Sequence, residues 1–102
     1  MLSPNECRNL QDVREGIDTI DKQIFSLFLQ RLEYVYAASQ FKPDEASIAA
    51  PDRVTAMLDE RRRWARKQQA NEDFITSLYE HIIYTYIREQ TEFWRKKNNK
   101  TA

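Results

Sequence analysis

In the stretch FSLFLQRLEYVYAASQFKP (residues 25–43), Arg31 interrupts an apolar seam where a leucine would pack better, and Lys42 follows eleven residues later. On a helix that spacing leaves the two cations roughly 20° apart around the axis and about 16 Å apart along it. A guanidinium held in a seam is costly unless an anion meets it. Two long cationic arms over such a span suit the binding of a small dianion. Arg14 stands seventeen residues before Arg31, about 25 Å along the same helix, too far to serve one small pocket from one chain. Across an antiparallel two-fold partner, however, the Arg14 end of one helix can lie beside the middle of the other. Arg53, in the first turn of a later helix, can fold its arm back over such a site. Gln90 places an amide in an otherwise apolar stripe between Tyr86, Ile87 and Trp94, and a buried amide costs free energy unless something bonds to it. Taken singly, each residue has a plainer reading: Arg31 snorkels to Glu33 or Glu92, Lys42 and Arg14 are solvated, and Gln90 bonds a backbone carbonyl. Their joint spacing favours the pocket.

The elements that must position these groups are helices. From Leu10 the seam runs Leu10, Val13, Ile17, Ile20, Ile24, Leu27, Arg31, Tyr34, Ala38 and Phe41, in steps of three and four, which is one long amphipathic helix. Asn9 is a suitable N-cap with Asp12 in the first turn, and Pro43 turns Lys42 away from the helical region and marks the stop. Some 32 residues at ~1.5 Å each span roughly 48 Å, whereas a compact 100-residue domain has a radius of gyration of about 13 Å. Such a helix overhangs its own domain, and an intertwined two-fold dimer is the simplest closed arrangement that covers its apolar stripe. Residues 43–50 lack periodicity and read as a loop, bracketed by Lys42 and Arg53 and suited to act as a lid. Pro51 opens a second helix with Asp52 at its positive end, carrying Val54, Met57, Leu58, Trp64 and Ala65 on one side. A third helix carries Phe74, Ile75, Leu78, Ile82, Ile83, Tyr86, Ile87, Phe93 and Trp94. The expectation is an all-α, single-domain chain over 1–102, frayed at 1–8 and 96–102.

Composition agrees. One glycine and three prolines among 102 residues, with 41% hydrophobic and 31% charged residues, favour helices over turns and strands. Sixteen basic residues balance sixteen acidic ones, so no global field recruits nucleic acid or an anionic membrane, and a cationic site must be local. The lone Cys7 makes no internal disulfide and reads as structural or incidental. The first residues lack the charged and apolar regions of a secretion signal, and no run of eighteen apolar residues occurs; the expected location is the cytoplasm. His81 reads as structural. The Arg61-Arg62-Arg63 run follows Asp59 and Glu60 and reads as a solvated helical face, not a nucleic-acid site. Phe25, Phe28, Phe74 and Trp94 read as core.

The pattern Arg14-x-x-Ile17-Asp18-x-Ile20-Asp21, followed by Leu27, Arg31, Lys42, Arg53 and Gln90, resembles the all-helical type II chorismate mutase family. The stretches CRNLQDVREGIDTIDKQIFSLFLQRLEYVYAASQFK, APDRVTAMLDERRRWA and HIIYTYIREQTEFWR look like its isochorismate pyruvate lyase branch, which makes salicylate, often for siderophores. The resemblance covers about residues 7–95. It implies an intertwined homodimer of three-helix subunits with two sites, each completed by Arg14 of the partner subunit. It implies that Arg31 and that Arg14 bind the two carboxylates of isochorismate, that Arg53 assists, and that Lys42 and Gln90 hydrogen-bond the ether oxygen. Mutases of this type place a Glu just after the second-helix Arg, where Val54 stands here, and a small hydroxyl residue one turn before the Gln, where Tyr86 stands. Val54, Tyr86 and Ile87 then form an apolar wall against the substrate, which favours the lyase over the mutase. The implied reaction is pericyclic and calls for no cofactor, metal or nucleophile. A chorismate mutase is the runner-up, and a helical adaptor dimer is the alternative from another class.

Overall fold

The computed structural model describes residues 1–98 and is helical throughout its regular structure. Three helices carry it: α1 (Leu10–Ala38), α2 (Pro51–Lys67) and α3 (Glu72–Asn98). Short 3-10 turns occur at Pro4–Glu6, Ser39–Phe41 and Ala46–Ile48. The chain divides into two compact units, Met1–Tyr34 and the residues from Val35 onward, so the last turn of α1 belongs to the second. No described helix is long and apolar enough to cross a membrane.

In the first unit the start of α1 is fixed by reciprocal side-chain bonds. Asn9 Oδ1 accepts the Asp12 backbone N–H at 2.9 Å, satisfying one of the unpaired donors of the first turn, while Asp12 Oδ2 accepts both the backbone N–H and Nε of Arg8 at 3.0 Å. The expected frayed start contains the Pro4–Glu6 turn, with the Ser3 N–H donating to Glu6 at 2.9 Å. Along α1 the apolar seam faces outward: Ile17 is 53% and Leu27 59% exposed, with Leu10, Val13, Ile20 and Ile24 also open. The helix has 29 residues, about 43 Å of axis. It stops at Ala38, short of the expected Lys42, because Ser39–Phe41 tighten into a 3-10 turn. Lys42 itself is extended, at φ −98° and ψ 117°, the conformation that a following proline favours.

In the second unit α2 and α3 pack on one another across a four-residue connection. Pro51 occupies the first turn of α2, where its missing N–H costs nothing. The helix ends in a Schellman motif: Gln69 adopts φ 56°, Ala70 N–H bonds the Ala65 carbonyl at 2.8 Å, and Gln69 N–H bonds the Arg66 carbonyl at 3.1 Å. Asn71 then caps α3, accepting the Phe74 N–H at 3.1 Å. Arg66 holds Glu72 through Nη2 at 3.0 Å and Nε at 3.2 Å, and Arg62 reaches Asp73 at 3.3 Å, so charges on the last turns of α2 meet the acidic first turn of α3. Among the described residues, Ile48, Val54, Ala65 and Ile83 are the buried apolar ones. Of the tail expected to fray, residues through Asn98 continue α3, and 99–102 lie outside the described residues.

Two expectations from the sequence do not hold. The Arg61-Arg62-Arg63 run is not uniformly solvated: the Arg61 side chain is 14% exposed, its guanidinium 4.3 Å from the Trp64 ring centroid and 5.4 Å from that of Tyr79. Flat cations stack on aromatic faces because the ring quadrupole attracts them. Nor are all the aromatic residues expected in the core buried: Phe25, Phe28 and Phe74 are exposed, and Trp94 is half-buried.

Candidate active site

The second unit places Lys42, Arg53, Val54, Tyr86, Ile87 and Gln90 on three segments: the stretch after α1, the first turn of α2, and the second half of α3. Gln90 is 7% exposed, and its Nε2 donates to the carbonyl of Val35 at 3.3 Å. Val35 lies in the final turn of α1, where carbonyls run out of helical partners. That carbonyl also faces the Ser39 hydroxyl at 3.5 Å. The plainer reading of Gln90, a bond to a backbone carbonyl, is therefore met by one of its N–H groups. An amide nitrogen carries two, so this bond orients the side chain while leaving capacity for a ligand.

Lys42 is half-buried, and its ammonium donates to the Ser47 carbonyl at 3.2 Å. Its backbone is held from both sides, the N–H by the Ser39 carbonyl at 3.1 Å and the carbonyl by Trp94 Nε1 at 3.3 Å. The loop expected over 43–50 is ordered by its own contacts. Ser47 N–H donates to Asp44 Oδ1 at 2.9 Å, the Ser47 hydroxyl donates to the Asp44 carbonyl at 2.7 Å, and Ile48 is 2% exposed. Glu45 is gripped by Arg95, whose Nη2 lies 3.0 Å from Oε2 and whose Nε bonds Oε1. Those hydrogen bonds hold the Glu45 carboxyl below the usual carboxylate range and push the Arg95 guanidinium up.

Beside Gln90, Tyr36 stacks on Phe93 with centroids 4.2 Å apart and gives its hydroxyl to Glu89 at 3.0 Å. Burial, then the Glu89 carboxylate, pushes the Tyr36 phenol up. Val54 is buried, Tyr86 and Ile87 are half-buried, and Arg53 is exposed at the start of α2. Arg14 and Arg31 lie in the first unit. Arg14 is exposed and Arg31 half-buried. Among the described residues, no group of three or more His, Cys, Asp and Glu side chains is placed to hold a metal.

The type II chorismate mutase family model matches residues 13–91. This chain belongs to the type II chorismate mutase family. Every polar residue singled out by spacing, from Arg14 to Gln90, falls within that match. The chain is also 47% identical over 96 residues to the isochorismate pyruvate lyase of Pseudomonas aeruginosa, an alignment covering 94% of this chain and 95% of that protein. It is 36% identical over 81 residues to the T-protein of Haemophilus influenzae, covering 78% of this chain and 20% of that protein. The all-α reading and the three helices of this chorismate mutase fold are thus as expected from the sequence.

Spacing did not reveal the parts played by Trp94, Glu45 and Arg95. Its spacing places Trp94 in the core, yet its indole N–H binds the Lys42 carbonyl. The available signal was its position one turn after Gln90 on the same face of α3, together with the need of a buried indole N–H for an acceptor.

Proposed function

We propose that this chain is an isochorismate pyruvate lyase, forming salicylate and pyruvate from isochorismate. The observation that carries this reading is the 47% identity to a lyase of that name over nearly the whole of both chains. In the proposed reaction a ring hydrogen transfers to the methylene of the enolpyruvyl group as the ether C–O bond breaks. The enolpyruvyl group leaves as pyruvate and the ring becomes aromatic. The electrons move in one cyclic step, so the protein's task is to hold the compact reactive conformer and to stabilise the charge that gathers on the ether oxygen.

In this reading Lys42 and Gln90 donate to that oxygen. Arg31 and Arg14 of the partner subunit bind the carboxylates, with Arg53 assisting, and Val54, Tyr86 and Ile87 wall the ring. The exposed apolar seam of α1 supports an intertwined homodimer, because an open stripe of Leu10, Val13, Ile17, Ile20, Ile24 and Leu27 gains stability when a second copy covers it. The family match favours chorismate mutase as the second reading. Supplying the purified protein with each substrate separates the two: dominant salicylate from isochorismate is expected, and dominant prephenate from chorismate reverses the assignment. Salicylate with pyruvate is also expected to raise the melting temperature.

A further inference from the structure

Trp94 and Arg95 are adjacent on α3, and each reaches the segment that follows α1. Trp94 Nε1 donates to the Lys42 carbonyl at 3.3 Å, and Arg95 holds both carboxylate oxygens of Glu45. Glu45 lies within the Asp44–Ser47 turn, which buried Ile48 follows. The Lys42 ammonium rests on that turn through the Ser47 carbonyl at 3.2 Å. The origin of the lysine side chain and the surface that receives its head are therefore both tied to neighbouring residues of one helix.

We infer that Trp94 and Arg95 are positioning residues for the Lys42 ammonium, an inference that rests on reading Lys42 as the donor to the ether oxygen. A lysine stem is flexible, and its freedom must be lost before its head acts as a fixed donor. A donor lowers a barrier in proportion to how well it is placed before reaction. Trp94 fixes the backbone at Lys42, and Arg95 fixes the turn at Glu45, so one N–H of the ammonium is committed to Ser47 and the others are aimed. Packing alone asks only that the indole ring be covered. It does not ask that the indole N–H meet Lys42, or that the next residue clamp the same segment. Both residues also lie beyond the stretch matched by the family model, which ends at residue 91.

The test uses the full chain with Trp94→Phe, Arg95→Gln, each of these combined with Lys42→Ala, and the charge reversal Glu45→Arg with Arg95→Glu. Amide hydrogen exchange over residues 42–48 and steady-state kinetics on isochorismate are measured together. Each single variant is expected to speed exchange in that segment about fivefold or more, as loss of one hydrogen bond implies, with α2 and α3 unchanged. Turnover is expected to fall about tenfold or more with KM within about twofold, as displacement of a placed group implies. In the Lys42→Ala background neither substitution is expected to lower turnover further, and the charge reversal is expected to recover most of what Arg95→Gln loses. Unchanged exchange in both variants overturns the inference, and so does an undiminished fall in turnover when Lys42 is already absent. Should Trp94→Phe fail to fold, Arg95→Gln at its exposed site decides. Absence of isochorismate turnover in the parent chain strikes the functional reading alone, and the exchange comparison then decides the tethers.

Discussion

Gln90 bonds the carbonyl of Val35 at 3.3 Å, so a side chain from the middle of the last turns of α3 caps the final turn of α1. One N–H of the amide is spent on orientation. The other is the group that the proposed chemistry needs.

Gln90→Glu tests that division of labour. A carboxylate at this buried position has lost both N–H groups and faces the Val35 carbonyl, acceptor against acceptor. Burial raises its pKa, so the neutral, donating form returns as pH falls through the raised value. The variant is expected to be nearly inactive at neutral pH and to gain turnover in acid, whereas the parent does not. A pH–rate profile with no acid limb removes Gln90 from the role of donor.

Lys42→Ala is expected to lower turnover by about two to three orders of magnitude, the effect of losing one placed donor at a charge-gathering oxygen. Folding should survive, because the ammonium makes one bond, to the Ser47 carbonyl, while the backbone ties to Ser39 and Trp94 remain. Circular dichroism alongside the kinetics checks both halves. Turnover equal to the parent's rejects the electrostatic role.

Arg14→Ala and Arg31→Ala chains are each expected to be inactive alone and to recover activity when mixed. Sites assembled from Arg31 of one chain and Arg14 of another leave one intact site in each mixed dimer. The mixture should approach about a quarter of parental activity if chains exchange at random between two-site dimers. No recovery after exchange has been demonstrated by mass-tagged subunits argues against shared sites.

The acid limb of stability has a local source at the α2–α3 connection. Hydrogen bonds from Arg66, then the charges of Arg66 and Arg62, hold the Glu72 carboxyl below its ordinary value of 4.5. A carboxyl with a depressed folded pKa contributes stability that is complete above the ordinary value and is lost as pH falls through the folded one. Glu72→Gln should therefore melt below the parent at pH 7, and the gap should close as pH drops well under 4.5. A gap that is constant with pH points to lost packing in place of lost charge.

What the sequence made legible was what local chemistry decides. Asn9 and Asp12 cap α1, Pro43 keeps Lys42 out of the helix, and Pro51 opens α2, because each depends on residues within one turn. The polar seam positions were legible too, since a cation or an amide in an apolar stripe stands out against the 3.6-residue period. Contacts made across the chain were not. Arg61 looked solvated beside Arg62 and Arg63, but its surroundings depend on Tyr79, eighteen residues away, as well as on Trp64. The indole of Trp94 carries the same hydropathy whether it fills space or binds Lys42. The apolar face of α1, by contrast, was legible in its periodicity, and its length pointed to a stripe that its own chain leaves uncovered, as Ile17 and Leu27 are.

Ala50 enters α2 at φ 39° and ψ 61°, left-handed geometry that a side chain with a Cβ resists by about 1 kcal/mol or more. Glycine there would relax the bend, yet it would also multiply the conformations open to the linker before Pro51. Keeping a methyl group at this bend restricts the directions from which residues 43–49 can approach Arg53. The stretch from Lys42 to Arg53 is thus stiffened at its far end by an uncharged residue, and exchanging this one alanine alters its pliancy without touching a single charged group.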